Sequence, residues 1–107
     1  MILDTDEQVR YLGIDTAEAS HHGGEEAMKA NTELVAGKEV QLWRDGEDRD
    51  HYGRLLRYVC ADGIFVNAEL IRLGWGYATF FSPHAPYRRL FRELKEEGRR
   101  ARPGYEL

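Results

Sequence analysis

The chain has 107 residues, the size of one domain, with 42% hydrophobic and 32% charged residues, the balance of an ordinary soluble globular protein. No apolar run approaches the roughly 20 residues that cross a bilayer, and the single cysteine, Cys60, excludes an internal disulfide framework and a cysteine-built zinc site. The net charge of -4 is unevenly spread: residues 1–50 carry 13 acidic and 5 basic side chains, whereas residues 82–107 carry 7 basic and 4 acidic.

In chain order, Ile2-Leu3 and Val9 to Ile14 are short β-prone runs joined by the polar turn Asp4-Thr5-Asp6-Glu7, which predicts a hairpin. Its alternation places Val9 and Tyr11 on one face and Arg10, Leu12 and Ile14 on the other. Ser20 to Gly24 is a loop. Glu25 to Val35 is helical, with Ala27, Met28, Ala30, Leu34 and Val35 on one face and Gly37 as its stop. Glu39 to Arg44 and Arg54 to Ala61 read as strands, the second ended by the Asp62-Gly63 turn. Asn67 suits a helix N-cap before Leu70, Ile71 and Leu73, and Gly74 closes that helix. Trp75 to Phe81 is aromatic and extended. A last helix starts near Pro86, carries the apolar stripe Tyr87, Leu90, Phe91 and Leu94, and ends at Gly98 and Pro103. This order describes an α+β chain, a small antiparallel sheet or barrel with helices packed on it.

Three groups of residues could carry chemistry. Arg10, Asp15, Thr16 and Glu18 combine a mid-strand cation with carboxylate and hydroxyl or carbonyl oxygens, hard ligands suited to calcium or magnesium; local capping of the loop by Asp15 and Thr16 is the plainer reading. Asp50-His51-Tyr52-Gly53-Arg54 aims a guanidinium from a strand start, either toward Arg10 to grip a phosphate or onto Asp50 or Asp48 as an ion pair. His21-His22 lacks a third metal ligand at a recognisable spacing and reads as a solvated loop. Cys60 lies within an apolar strand and reads as a small buried hydrophobe. The basic tail, from Arg88 to Arg102, reads first as the solvated face of the last helix and second as a partner surface.

Val-Arg-Tyr-Leu-Gly-Ile-Asp-Thr-Ala-Glu at 9 to 18 resembles the signature of the staphylococcal nuclease-like family, the thermonucleases. Gly24 to Glu33, Asp50 to Leu56, and Ala61-Asp62-Gly63 with Val66 to Gly74 are similar to later segments of that family in the same order. The resemblance runs from about residue 2 to the end of the last helix and implies one staphylococcal nuclease-like domain over 1–107. The implied fold is OB-fold-like, a small antiparallel barrel with three helices. The implied activity is calcium-dependent hydrolysis of phosphodiester bonds in DNA and RNA, with single-stranded or denatured nucleic acid as partner. By position, Arg10 and Arg54 match the phosphate-binding arginines and Glu18 the carboxylate that orients or deprotonates the attacking water. Asp15 matches a calcium (Ca2+) ligand, and Thr16 one that ligates through its carbonyl.

The chain departs from the family in three places. It begins at about the family's second strand, without the opening strand and its metal-binding aspartate, so one barrel strand is expected to be missing and metal affinity to fall. Ala17 stands where the family has proline, which loosens the turn that presents Glu18. The net charge is acidic, unlike that of a tight nucleic-acid binder. An open barrel edge invites association, which makes a homodimer a candidate state. The rival function is a non-catalytic module that binds nucleic acid or a protein partner. Family members are often exported, and nothing in this sequence decides localisation.

Overall fold

The computed structural model describes residues 1–16, 23–79 and 86–101. Its elements are β1 (Val9–Tyr11), β2 (Ile14–Asp15), α1 (Gly24–Val35), β3 (Val40–Trp43), β4 (Leu55–Ala61), β5 (Ile64–Phe65), α2 (Val66–Arg72), β6 (Tyr77–Ala78) and α3 (Arg88–Ala101). The α+β class with three helices agrees with the expectation. The described strands form a four-stranded sheet, in which β4 pairs with β1, β3 and β5, and a two-stranded sheet of β2 and β6, rather than a closed ring.

The sheet is not wholly antiparallel, as the sequence suggested. Val9, Arg10 and Tyr11 lie beside Leu55, Leu56 and Arg57 in parallel register. Parallel neighbours need a crossover connection, and the chain between β1 and β4 supplies one through β2, α1 and β3. β3 and β5 pair with β4 in the antiparallel sense. The predicted hairpin is reduced to a single antiparallel bridge, Ile2 to Gln8, before β1 leaves for β4.

Alternation along β1 also breaks. Val9 and Tyr11 are buried as expected, but so is Ile14, which the alternation placed on the opposite face. Gly13 adopts φ 77°, a left-handed turn open to glycine at little cost, and that turn resets the face of the following strand. β2 then pairs with β6, Ile14 beside Ala78 and Asp15 beside Tyr77, which gives the aromatic segment after Trp75 its strand.

Two helix boundaries differ from expectation for packing reasons. Asn67 does not cap α2; it lies inside the helix, fully buried, after Phe65 at the N-cap. Its Oδ1 accepts the Val59 N–H at 2.9 Å and its Nδ2 donates to the Leu12 carbonyl at 3.0 Å, so one amide ties β4 and the β1–β2 turn to α2. Gly98 does not end α3, which runs on to Ala101. A Cβ at Gly98 would stand 2.2 Å from the Ile71 carbonyl oxygen, so glycine here is what lets α3 approach the end of α2. Phe91, Leu70, Ile71, Val59 and Val66 fill the core between these helices and the sheet. Tyr58 of the core and the partly buried Trp43, Phe65 and Tyr87 pack together in tilted and edge-on contacts with ring centroids 4.7–6.4 Å apart.

Candidate active site

Arg10, Asp15, Thr16 and Arg54, four of the five residues singled out in the sequence, line one open cleft of about 370 Å³. The fifth, Glu18, lies outside the described residues, as do His21 and His22. β1 delivers Arg10, and β2 delivers Asp15 with Thr16 directly after it. The parallel register brings the start of β4 alongside, with the Leu55 N–H donating to the Gln8 carbonyl at 2.9 Å, so that Arg54 reaches the same cleft.

The two arginines are held in different ways. Arg10 Nη1 donates to the carbonyls of Tyr11 at 2.7 Å and Ile14 at 2.6 Å, and its Nη2 pairs with Asp15 Oδ1. The guanidinium thereby closes the β1–β2 turn beneath it. Of its five N–H groups, the Nε proton and one Nη2 proton remain for a ligand among the described contacts. Arg54 is held from behind: its Nε donates to Asp50 Oδ2 at 2.7 Å. Among the described residues neither of its η nitrogens makes a hydrogen bond or ion pair, so the planar end of the fork is available. Arg54 thus pairs with Asp50, as one of its two sequence readings has it, and lines the same cleft as Arg10.

Asp50 is the hub of the loop that aims Arg54. Its Oδ1 accepts the N–H groups of Tyr52 at 3.0 Å and Arg54 at 2.9 Å, while Oδ2 takes the guanidinium. Partial burial works to raise the Asp50 pKa, but the Arg54 N–H, the Arg54 guanidinium and the Tyr52 N–H together hold it below the usual carboxylate range. Tyr52 is 75% exposed, and the Arg54 guanidinium carbon lies 5.6 Å from the centre of its ring.

The far wall comes from α1, and sequence reasoning missed its polar member. Asn31 lines the cleft and its Oδ1 accepts the Tyr11 hydroxyl at 2.6 Å. Burial, only partly offset by that hydrogen bond, pushes the Tyr11 pKa up to about 12. The signal was present, since Asn31 follows the buried Ala27 by four residues on the inward side of α1. Met28, expected inside, is 56% exposed at the cleft.

The cation-binding expectation has partial support in donor chemistry. Asp15, whose side chain is 41% exposed, offers a carboxylate, and Thr16 offers oxygen donors at the same rim. Such hard oxygens are the class calcium takes, but a full shell needs about 6–8 of them. Among the described residues no cluster of three or more histidine, cysteine, aspartate or glutamate side chains is set to hold a metal. Asp15 and Thr16 thus fit as part of a shell.

Residues 8–105 match the family model described as staphylococcal nuclease homologue. The chain is 38% identical over 99 residues to the SPbeta prophage-derived endonuclease YokF of Bacillus subtilis, covering 85% of this chain and 33% of that protein. It is also 38% identical over 99 residues to endonuclease YncB of the same organism, covering 85% of this chain and 47% of the relative. The thermonuclease of Staphylococcus intermedius is 31% identical over 101 residues, covering 89% of this chain and 60% of the relative. The chain therefore spans from a third to three fifths of the length of these three relatives.

Proposed function

The chain belongs to the staphylococcal nuclease homologue family, a family whose relatives bear the names endonuclease and thermonuclease, and from that premise we propose that it hydrolyses phosphodiester bonds of DNA and RNA, taking single-stranded or denatured strands, with calcium as cofactor. The observation that carries this reading is the meeting of Arg10 and Arg54 with Asp15 and Thr16 in one cleft.

The chemistry follows from the side chains. Attack of water on phosphorus builds negative charge on the phosphoryl oxygens, and donors already aimed at those oxygens stabilise that charge without reorganising. The η nitrogens of Arg54, unpaired among the described residues, present a bidentate fork to two phosphoryl oxygens, with Asp50 holding the guanidinium at Nε. Arg10 supplies its remaining Nε and Nη2 protons from a guanidinium already fixed by the turn. Glu18 orients or deprotonates the attacking water in this reading. Asp15 and the Thr16 carbonyl would hold calcium, which when bound adds positive charge beside the same phosphate. No group in this scheme contacts the ribose 2′ position, which allows both DNA and RNA. Association of two chains through the outer edge of β3 completes the proposal, and a monomer by light scattering at high concentration removes that part.

The test is cleavage of heat-denatured DNA and of RNA at millimolar calcium, with a chelator control and the variant Glu18→Gln. Cleavage that needs calcium and is lost with Glu18→Gln is the expected result. A folded chain that cuts neither polymer overturns the nuclease reading, and salt-sensitive binding without cutting assigns the cleft to recognition instead.

A further inference from the structure

Helix α3 carries a charge pattern for which the cleft has no use. Arg88, Arg92, Lys95 and Arg99 recur at i, i+4, i+7 and i+11. At 3.6 residues per turn they lie within about 60° of one another around the helix. Of the acids of α3, Glu93 and Glu97 fall about 100° or more around the helix from this stripe, whereas Glu96 stands one turn after Arg92 and borders it. Arg99 lies 3.5 Å from Glu96, but Arg88, Arg92 and Lys95 make no ion pair or hydrogen bond among the described residues. Arg92 and Lys95 are exposed and Arg88 is half-buried.

Like charges three and four residues apart work against helix stability. Here three successive neighbours do so, in a chain whose net charge is -4 and whose first 50 residues hold 13 acids. Cations are thus concentrated on one stripe where they repel one another, with Glu96 bordering it and paired with Arg99. α3 packs on α2, whose Leu70 lines the cleft, and on β6, where Tyr77 pairs with Asp15 of β2.

We propose that the Arg88–Arg92–Lys95 stripe is a second contact surface for nucleic acid, gripping backbone phosphates of a strand whose scissile bond occupies the cleft. The proposal rests on the nuclease reading for what fills the cleft, but its own evidence is the stripe. From Arg88 to Lys95 the helix rises about 10 Å at 1.5 Å per residue. One strand of a duplex carries a phosphate about every 3.4 Å of axis, so the stripe matches a run of about three phosphates. Contacts of this kind are blind to base sequence, and they raise the affinity of long polymers over that of dinucleotides.

The experiment measures binding of the full chain to a fluorescent single-stranded 20-mer by anisotropy, with chelator present and salt varied. The variant carries Arg88→Gln, Arg92→Gln and Lys95→Gln together, exchanges that keep helix propensity. A control triple, Lys29→Gln, Arg72→Gln and Arg89→Gln, makes the same change in net charge away from the stripe, and circular dichroism verifies the fold of both. The stripe variant is expected to lower the slope of log affinity against log salt by about 2, at about 0.7 per phosphate contact, and to weaken binding about tenfold near 0.1 M salt. The control keeps the slope, and cleavage of a dinucleotide by the stripe variant is unchanged. An unchanged slope in the stripe variant, or an equal fall in both triples, overturns the proposal. So does stripe-dependent binding to phosphatidylserine vesicles without oligonucleotide binding. A chain that never cuts but shows the stripe-specific slope retains this surface and loses the nuclease reading, so the two failures are distinguishable.

Discussion

Arg10 and Arg54 share a cleft, yet one is built into the fold and the other is held out from it. Arg10 spends three hydrogen bonds on the turn that carries Asp15, so its charge is fixed by the same contacts that shape the β1–β2 connection. Among the described residues the Arg54 guanidinium is gripped at Nε alone, by an aspartate that also organises its own loop, and its planar end is left open. The contrast separates two ways of preparing a cation for phosphate. One makes the cation part of the scaffold, and the other makes the scaffold aim it.

The sharpest break of that contrast is a pair of truncations. Under the proposed nuclease activity, Arg10→Ala and Arg54→Ala should each slow cleavage about 10²–10³-fold, the usual cost of removing one preorganised donor. Their stabilities should differ. Arg10→Ala leaves the Tyr11 and Ile14 carbonyls without their partner and should destabilise by about 1–3 kcal/mol. Arg54→Ala, which leaves Asp50 its two backbone N–H donors, should cost less than Arg10→Ala in thermal unfolding. Equal losses of stability would show that the two arginines are held alike.

The scaffold side can be tested without touching either arginine. Asn67→Leu removes the amide that satisfies the Val59 N–H and the Leu12 carbonyl, both next to the elements that carry Arg10 and Arg54. A loss of about 1–3 kcal/mol in urea unfolding is expected, with cleavage at low temperature retained. Wild-type stability in Asn67→Leu would mean that the β1–β2 turn does not depend on α2.

The aiming side has a pH signature. Asp50 has a folded pKa below its ordinary value, so its contribution is present above the usual carboxylate pKa of about 4 and is lost as pH falls through the depressed folded value. Asp50→Asn should therefore lower stability at neutral pH and flatten the acid limb of the stability profile, and should slow cleavage about tenfold through a loosened Arg54. The residual acid limb belongs in part to Glu7 and Asp48, whose pKa values hydrogen bonds from Arg49 and Arg57 also lower. An acid limb unchanged by Asp50→Asn would remove Asp50 as the positioning group.

The smallest effect lies at high pH. Burial raises the pKa of both Tyr11 and Tyr58 to about 12, and the Asp45 charge adds to the effect on Tyr58. Between about pH 10 and 12 the unfolded chain gives up these protons while the folded chain keeps them, so stability present below pH 10 should decline across that window. Tyr11→Phe should lessen the decline, as measured by denaturant midpoints at pH 9 and pH 11.

The short-range features of this protein are legible in its sequence because they obey local rules. The apolar stripe of α3, the acids in the first turn of α1 and the Asp62-Gly63 turn each follow from spacing or from one residue's backbone preference. The four described site residues were found through a motif, and motifs record local spacing faithfully. What spacing could not supply was distance between segments. That β1 runs parallel to β4, which sets Arg54 beside Arg10, depends on a crossover more than forty residues long. Asn67 looked like a cap because its type favours caps; it became a buried link because the Val59 N–H and the Leu12 carbonyl converge on it from distant parts of the chain. Gly98 looked like a helix stop and is instead the contact where α3 meets Ile71. Asn31 on α1, which the sequence reading missed, accepts the Tyr11 hydroxyl across the cleft. Sequence by itself determined which segments are helix or strand and which residue types carry the charge. Only the tertiary structure decided which of them meet, because a buried polar group takes its partner from whatever the packed chain brings within about 3 Å.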